Sequence, residues 1–474
     1  MRLYILELSK YGIALILAVY TCFSFWMLFR SRDKQEQKVL GILQVILILL
    51  FQAAAGITLT AGCKDLRYLF FMLLQVVIVT AVIILFHTLY EQANMLLFHN
   101  MCMLMSIGYV IISRLSLTEA VKQFVIAALG MVIALVLPAF RKHFDLLKTP
   151  GYLYALIGIL VLMVVLVLGS ETLGANLSFT ILGLTFQPSE FVKILFLLFI
   201  ASVLRERSDF RTVLPAAALC AFHVLILVAS RDLGSSVIFF VTCVLMIFLA
   251  SGNWIYLILG ILGGGAGSYI AYRLFAHVQV RVQAWLDPWS VIDSMGYQIT
   301  QSLFSISYGG AFGAGLTQGT PEKIPYVEKD FIFAPVAEEL GLIAAVCLIM
   351  ICLNCFLVML FMSLNYADRF CQLLTFGAAV EYGFQTFLTI GGETKFIPLT
   401  GVTLPFVSYG GSSILASIII FTLVEIMAIN QGERIEEFRL RFERKMAREE
   451  QWRIEEASRR RENGRRRRRE EQDI

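Results

Sequence analysis

An all-α protein that crosses a membrane many times is the fold class this sequence predicts, and three observations carry it. Of 474 residues, 58% are hydrophobic and only 16% are charged. Mean hydropathy is +0.77. Apolar runs of about 20 residues, each long enough to cross hydrocarbon, recur along nearly the whole chain. No soluble core absorbs that share of apolar side chains, so ordinary soluble enzymes are excluded first.

Apolar runs set against charged breaks predict thirteen helices, near 11–30, 39–61, 67–88, 97–113, 120–139, 152–169, 190–204, 213–229, 235–250, 253–275, 331–361, 371–390 and 406–429. Basic residues bias loops to the cytoplasm. The groups Arg30, Arg32, Lys34 and Lys38, then Arg141, Lys142 and Lys148, then Arg205, Arg207 and Arg211 all fall on one side of this count. An odd number of crossings then puts the N-terminus outside and the C-terminus in the cytoplasm. The first segment follows Lys10 without a small-residue cleavage site and reads as a retained anchor.

The net charge of +4 hides an asymmetry. Residues 433–474 hold 15 Lys and Arg against 12 Asp and Glu, which leaves 24 basic and 23 acidic groups for the other 432 residues. Residues 431–474 therefore read as a cytoplasmic charged tail, whose mixed charge at helical spacing predicts a solvated helix. Its run from Arg465 to Arg469 suits anionic lipid head groups, at about 1 kcal/mol per charge, rather than nucleic acid. The nine cysteines lie mostly inside apolar runs, so Cys352 and Cys355 read as small apolar packing. The five histidines show no ligand spacing, and no metal motif is assigned.

One long break, residues 276–330, separates helices 10 and 11 and lies on the outer face by the same alternation. Loops of that length usually carry function. Trp285, Trp289, Tyr297, Phe304, Tyr308, Phe312 and Tyr326 let it pack at the membrane boundary, and the glycines from Gly309 to Gly319 argue for tight turns rather than another span.

Polar groups gather around this loop. Asp330 closes it, just before the apolar run Phe331, Ile332, Phe333, Ala334; a carboxylate there suits either proton acceptance beside a lipid head group or capping of the next helix. Glu338 and Glu339 follow, roughly 12 to 14 Å deeper on a regular helix. Intramembrane acids need partners, which points that face at a central cleft, although a purely structural pair fits as well. Gln187, Pro188, Ser189, Glu190 and Lys193 open another helix from the same side, with Glu190 and Lys193 spaced for an ion pair. Asp232 is a third acid at an outer helix end. Pro398, Gly401, Pro405, Ser408, Gly410 and Gly411 specify an irregular segment, tolerated at membrane depth where it lines a cavity or is buried in protein.

Five stretches then carry a resemblance: QPSEFVK at 187–193, RDLGSS at 231–236, WLDPW with GYQITQS at 285–302, KDFIFAPVAEELGLI at 329–343 and LPFVSYGGSS at 404–413. In this order they resemble the SEDS family of shape, elongation, division and sporulation proteins, the FtsW/RodA/SpoVE group. The resemblance covers about 95–430, a ten-helix core. It leaves 1–94 as three extra N-terminal helices, with 276–330 as the large extracellular loop inside the core.

The resemblance implies a peptidoglycan glycosyltransferase that polymerises lipid II in elongation, division or sporulation. It puts the family's essential aspartate on Asp330, as general base, and the diphosphate-contacting lysine on Lys193. Gln187, Glu190, Asp287, Gln298, Gln301, Ser302, Ser408 and Lys395 become substrate-cavity positions. The expected reaction is inverting: the acceptor's GlcNAc 4-hydroxyl attacks the donor's MurNAc anomeric carbon while undecaprenyl diphosphate leaves. Lys193 and a divalent cation, Mg or Mn, are the candidates to neutralise that diphosphate. The implied protein partner is a class B penicillin-binding protein acting as transpeptidase, at the bacterial plasma membrane.

Two departures stand out. The family's Arg-Arg-Trp ahead of QPSE is replaced by Asn176, Leu177, Ser178 and Phe179, and the Asn of the penultimate helix by Thr389, followed by Gly392, Glu393, Thr394 and Lys395. The competing readings are a flippase for the lipid-linked precursor and a catalytically silent scaffold for a cell-wall synthesis partner.

Overall fold

The computed structural model describes residues 2–30, 33–172, 175–181 and 184–470. Three helices open the chain: α1 (Arg2–Phe29), α2 (Lys34–Cys63) and α3 (Arg67–Leu89). Then come α4 (Met95–Leu115), α5 (Leu117–Val136), a 3-10 stretch at Leu137–Lys148, and α6 (Gly151–Leu168). A small antiparallel meander of β1 (Ser170–Thr172), β2 (Ala175–Ile181) and β3 (Leu184–Phe186) leads into α7 (Pro188–Leu204), α8 (Phe210–Ala229), α9 (Leu233–Ser251) and α10 (Trp254–Leu274). Two short helices, α11 (Ala276–Leu286) and α12 (Tyr297–Tyr308), precede the turn α13 (Phe333–Pro335), followed by α14 (Gly341–Leu364), α15 (Arg369–Glu393) and α16 (Gly411–Glu470).

Local chemistry sets many of the starts. Asp33 accepts from the Gln35 amide, Asn94 from Leu97, Ser116 from Glu119, Asp232 from Ser235, Asn253 from Ile255, and Asp368 from Phe370 and Cys371. Each satisfies donors that a helix leaves orphaned in its first turn. Pro188 occupies the first turn of α7, where its missing N–H costs nothing.

Among the described residues, eleven helices are long and apolar enough to cross a membrane. The other two predicted long helices are embedded in the bundle and differ for visible reasons. Helix α7 has 17 residues, and α15 carries Arg369, Glu381, Gln385 and Glu393. The chain is an all-α polytopic membrane protein, with the meander as a small addition between α6 and α7.

Helix α4 is buried along almost its whole length, because α2, α5 and α14 enclose it. The extra helices are bonded to the core as well as packed on it. Tyr20 and Ser24 donate to Asn100 Oδ1 at 2.9 and 3.2 Å, Gln44 donates to Ser24 at 3.0 Å, and Asn100 donates to Asn354 at 2.7 Å. Helix α10, by contrast, buries none of its residues.

The break at 276–330 contains the short helices α11 and α12, and residues 309–320 turn without adding a span. One expectation changes. The expected regular helix from 331 is interrupted: α13 passes into a π turn at Val336–Leu340, and Gly341, the first residue of α14, takes φ +90. Only glycine adopts that backbone cheaply. Helix α16 runs on past the bundle, and from Arg434 its described side chains are exposed except for the half-buried Glu456, in keeping with the charged tail.

Candidate active site

The irregular segment between α15 and α16 supplies the floor of the site. Helix α15 ends at Glu393, Lys395 takes φ +60, and Gly401 turns the chain at φ +74. The opening left by the absent side chain at Gly401 is where two opposite charges converge. A β-carbon there would lie 3.6 Å from Arg281 Nη2 and 3.7 Å from Asp330 Oδ2. Arg281 comes from α11 and is fixed by donating from Nη1 to the Thr400 carbonyl at 2.9 Å. Asp330 is anchored through its own N–H to Tyr326 O at 3.2 Å, and the Tyr409 N–H reaches Glu328 O at 2.7 Å, tying the turn that holds Asp330 to the irregular segment.

Burial raises the Asp330 carboxyl above the ordinary aspartate range, and the Arg281 and Lys329 charges pull it back. Burial likewise lowers the Arg281 guanidinium, against the Asp330 and Asp232 charges. Arg281 was not singled out from the sequence, where a lone arginine in a loop reads as a solvated charge.

The capping role open to Asp330 is taken by another residue. No side chain of its own segment caps the Phe333–Pro335 turn. The Ala334 N–H instead donates to Glu393 Oε2, at 3.0 Å, from the end of α15.

A second polar group, whose Asp232 charge also acts on Arg281, gathers at the start of α7. Gln187 Nε2 donates to Ser189 Oγ at 3.1 Å and to Asp232 Oδ2 at 3.4 Å, and Ser189 donates to the same carboxylate at 3.4 Å. Asp232 also caps α9. One turn of α7 beyond Ser189, Lys193 Nζ meets Glu190 Oε2 at 2.9 Å and Gln385 Oε1 at 2.8 Å, with the Glu381 carboxylate nearby. Lys193 is only 3% exposed, so it stands in this structure as a buried, paired cation rather than one open to solvent.

The remaining cavity candidates divide. Ser302 is buried and donates to Glu393 O at 3.0 Å. Ser408 accepts from the Leu404 N–H at 2.9 Å, while Gln123 of α5 clamps the same segment through Ser408 O and the Gly410 N–H, at 3.0 and 2.9 Å. Thr389 donates to Val402 O at 3.0 Å. Lys395 offers its carbonyl to Trp285 Nε1 at 3.2 Å. Gln298 reaches Pro325 O at 3.5 Å, and Gln301 is half-buried on α12. Asp287 is exposed and caps the turn at Ser290, 3.3 Å away, so it does not join the Asp330 group. Asn176, Leu177 and Ser178 lie in β2, and their side chains fall outside what is described.

Glu338 and Glu339 do not face an open cleft, which corrects the expectation from a regular helix. The π turn rolls both into the loop that precedes them. Glu338 accepts from the Thr320 N–H at 2.6 Å and from Ser305 Oγ. Glu339 accepts from Arg114 Nε at 3.0 Å and from the Thr317 and Gly319 amides at 3.1 and 3.2 Å. They are a buried clamp that folds residues 309–322 against the break. Among the described residues, no three His, Cys, Asp or Glu side chains come together as metal ligands, so the site does not fit a cation held by the protein alone.

The fold and site define a polytopic membrane protein with a half-buried acid and arginine where α11 meets the irregular segment between α15 and α16. The FtsW/RodA/SpoVE family model, described as "Cell cycle protein", matches residues 88–433. Peptidoglycan glycosyltransferase RodA of Mycobacterium tuberculosis is 34% identical over 368 residues, covering 72% of this chain and 78% of that protein. The probable peptidoglycan glycosyltransferase FtsW of Aliivibrio salmonicida is 34% identical over 284 residues, 57% of this chain and 70% of its own. Stage V sporulation protein E of Bacillus subtilis is 34% identical over 241 residues, 48% and 64% respectively.

Among solved structures, a chain from a study of how a peptidoglycan synthase complex coordinates polymerization and crosslinking matches with TM-score 0.63 and 25% identity. It covers 72% of this chain and 98% of that one. The Thermus thermophilus rod shape determining protein RodA matches in fold, with TM-score 0.54 and 24% identity, over 71% of this chain and 96% of its own. The chain belongs to the FtsW/RodA/SpoVE, or SEDS, family.

Proposed function

We propose that this chain polymerises peptidoglycan glycan strands from lipid II at the outer face of the bacterial plasma membrane, with Asp330 as general base. Glycan polymerisation in cell-wall synthesis is the activity its relatives' names carry. The observation that supports this mechanism is the convergence of Asp330 and Arg281 on Gly401. Asp330 Oδ2 takes the proton of the acceptor's GlcNAc 4-hydroxyl as that oxygen bonds to the donor's MurNAc anomeric carbon. The bond from that carbon to undecaprenyl diphosphate breaks with inversion. Arg281 faces the leaving diphosphate and supplies the positive charge that the missing Arg-Arg-Trp would otherwise provide.

A positioned base contributes about 10² to 10⁴ in rate, and pre-aimed charge at the leaving group lowers the barrier further. Lys193, locked between Glu190 and Gln385, holds the cavity wall and its charge balance. The orientation that fits is the Asp330 end outside and the α16 tail in the cytoplasm. A class B penicillin-binding protein is the partner this product calls for, because new strands require crosslinking.

Reconstitution of the purified chain in proteoliposomes with labelled lipid II tests the reading. Glycan polymer supports it. Transbilayer movement of lipid II without polymer would favour a flippase, and neither activity would favour a scaffold.

A further inference from the structure

Helices α2, α4, α5, α9 and α15 are each capped by the residue that immediately precedes them. The turn after Asp330 is different. Its acceptor arrives from another helix: Glu393 Oε2 takes the Ala334 N–H at 3.0 Å and lies against the Phe333 amide. Glu393 is fully buried. It sits where three elements meet this turn, since Ser302 of α12 donates to its carbonyl at 3.0 Å and Trp285 of α11 donates to Lys395 O, two residues on.

The N-cap of this turn is Ile332, and an aspartate binds amides two or three residues ahead, so of the two amides that Glu393 meets the one in reach of Asp330 is Phe333. A carboxylate folded into its own cap cannot also present an oxygen toward Arg281 and a sugar hydroxyl. We propose that Glu393 is a positioning residue for glycosyl transfer: by occupying the Phe333 amide, three residues beyond Asp330, it keeps Asp330 out of the cap and turned toward Arg281. The inference rests on the reading of Asp330 as the base, and it gives the charged departure after Thr389 a role.

The test compares Glu393→Leu, Glu393→Gln and Asp330→Ala in the full-length protein in proteoliposomes, after thermal melting shows each variant folded. Glu393→Leu is expected to lower kcat about tenfold or more with KM within about twofold, the signature of a misplaced catalytic group. The charged groups facing Asp330 are Arg281 on α11, Lys329 and Glu328 beside it, and Glu393 on α15. With Glu393 gone, Asp330 captures the Phe333 amide, and that hydrogen bond to its ionised form moves the acid limb of the pH profile to lower pH. Glu393→Gln keeps an acceptor oxygen and recovers kcat to within about threefold of wild type.

Wild-type kcat and an unmoved limb in Glu393→Leu, or a Gln variant as impaired as Leu, would overturn the inference. If the Leu variant does not fold, Glu393→Asp, one methylene too short to reach, carries the same expectations. Activity in Asp330→Ala would overturn the base assignment itself. Inactive Asp330→Ala beside a normal Glu393→Leu overturns only the positioning role.

Discussion

Asp330 and Arg281 face each other across Gly401, whose missing side chain leaves the gap between carboxylate and guanidinium open. Gly401→Ala puts a methyl group into that gap at a backbone φ of +74, which costs an L-residue roughly 1–2 kcal/mol. We expect kcat/KM to fall at least about tenfold, roughly 1.4 kcal/mol of transition-state stabilisation, with monodisperse, folded protein by melting. Undiminished kcat/KM would show that the gap is not used.

The pH dependence follows from the sign of the Asp330 shift. A base must be ionised, and burial raises Asp330 while Arg281 lowers it. The acid limb of the kcat profile should therefore lie above the ordinary aspartate value of about 3.9. Arg281→Gln removes the opposing charge and moves that limb further up, whereas Arg281→Lys leaves it closer to wild type. A limb that stays fixed or moves down in Arg281→Gln contradicts the pairing.

Lys193 is held between Glu190 and Gln385 in a buried site. Lys193→Met strands the Glu190 carboxylate and should cost about 3–5 kcal/mol of stability, read as a lowered thermal midpoint. The double change Lys193→Met with Glu190→Gln should recover part of that loss. Strict additivity of the two would mean the pair is not coupled.

Arg114 and Glu339 form the corresponding clamp on the loop that precedes α13. Arg114→Met leaves the fully buried Glu339 to backbone amides alone. The expected outcome is faster proteolysis within residues 309–322 together with a lowered melting point. An unchanged digestion rate would show that the loop is held by other contacts.

Much of this architecture was legible because lipid imposes simple demands. An apolar run of helix length leaves few alternatives, so the long helices could be placed from hydropathy, and Asp330 drew attention as an acid at the edge of such a run. What stayed hidden depended on long-range pairing. Arg281 looks like any loop arginine until α11 brings it against Thr400. Glu393 looks like a stray charge until its carboxylate meets Ala334, 59 positions away in sequence. Glu338 and Glu339 were misplaced because a periodic reading assumes an unbroken helix, and the π turn with Gly341 rotates both toward Thr317, Gly319 and Thr320. The bonds of Asn100 to Tyr20, Ser24 and Asn354 likewise follow from tertiary packing that hydropathy does not encode.

The most direct measurement is strand synthesis from labelled lipid II by wild type and Asp330→Ala side by side, at matched amounts of folded protein and across pH. The account predicts polymer from wild type only, with the variant slower by at least about 10². Polymer made by the variant at the wild-type rate would contradict it.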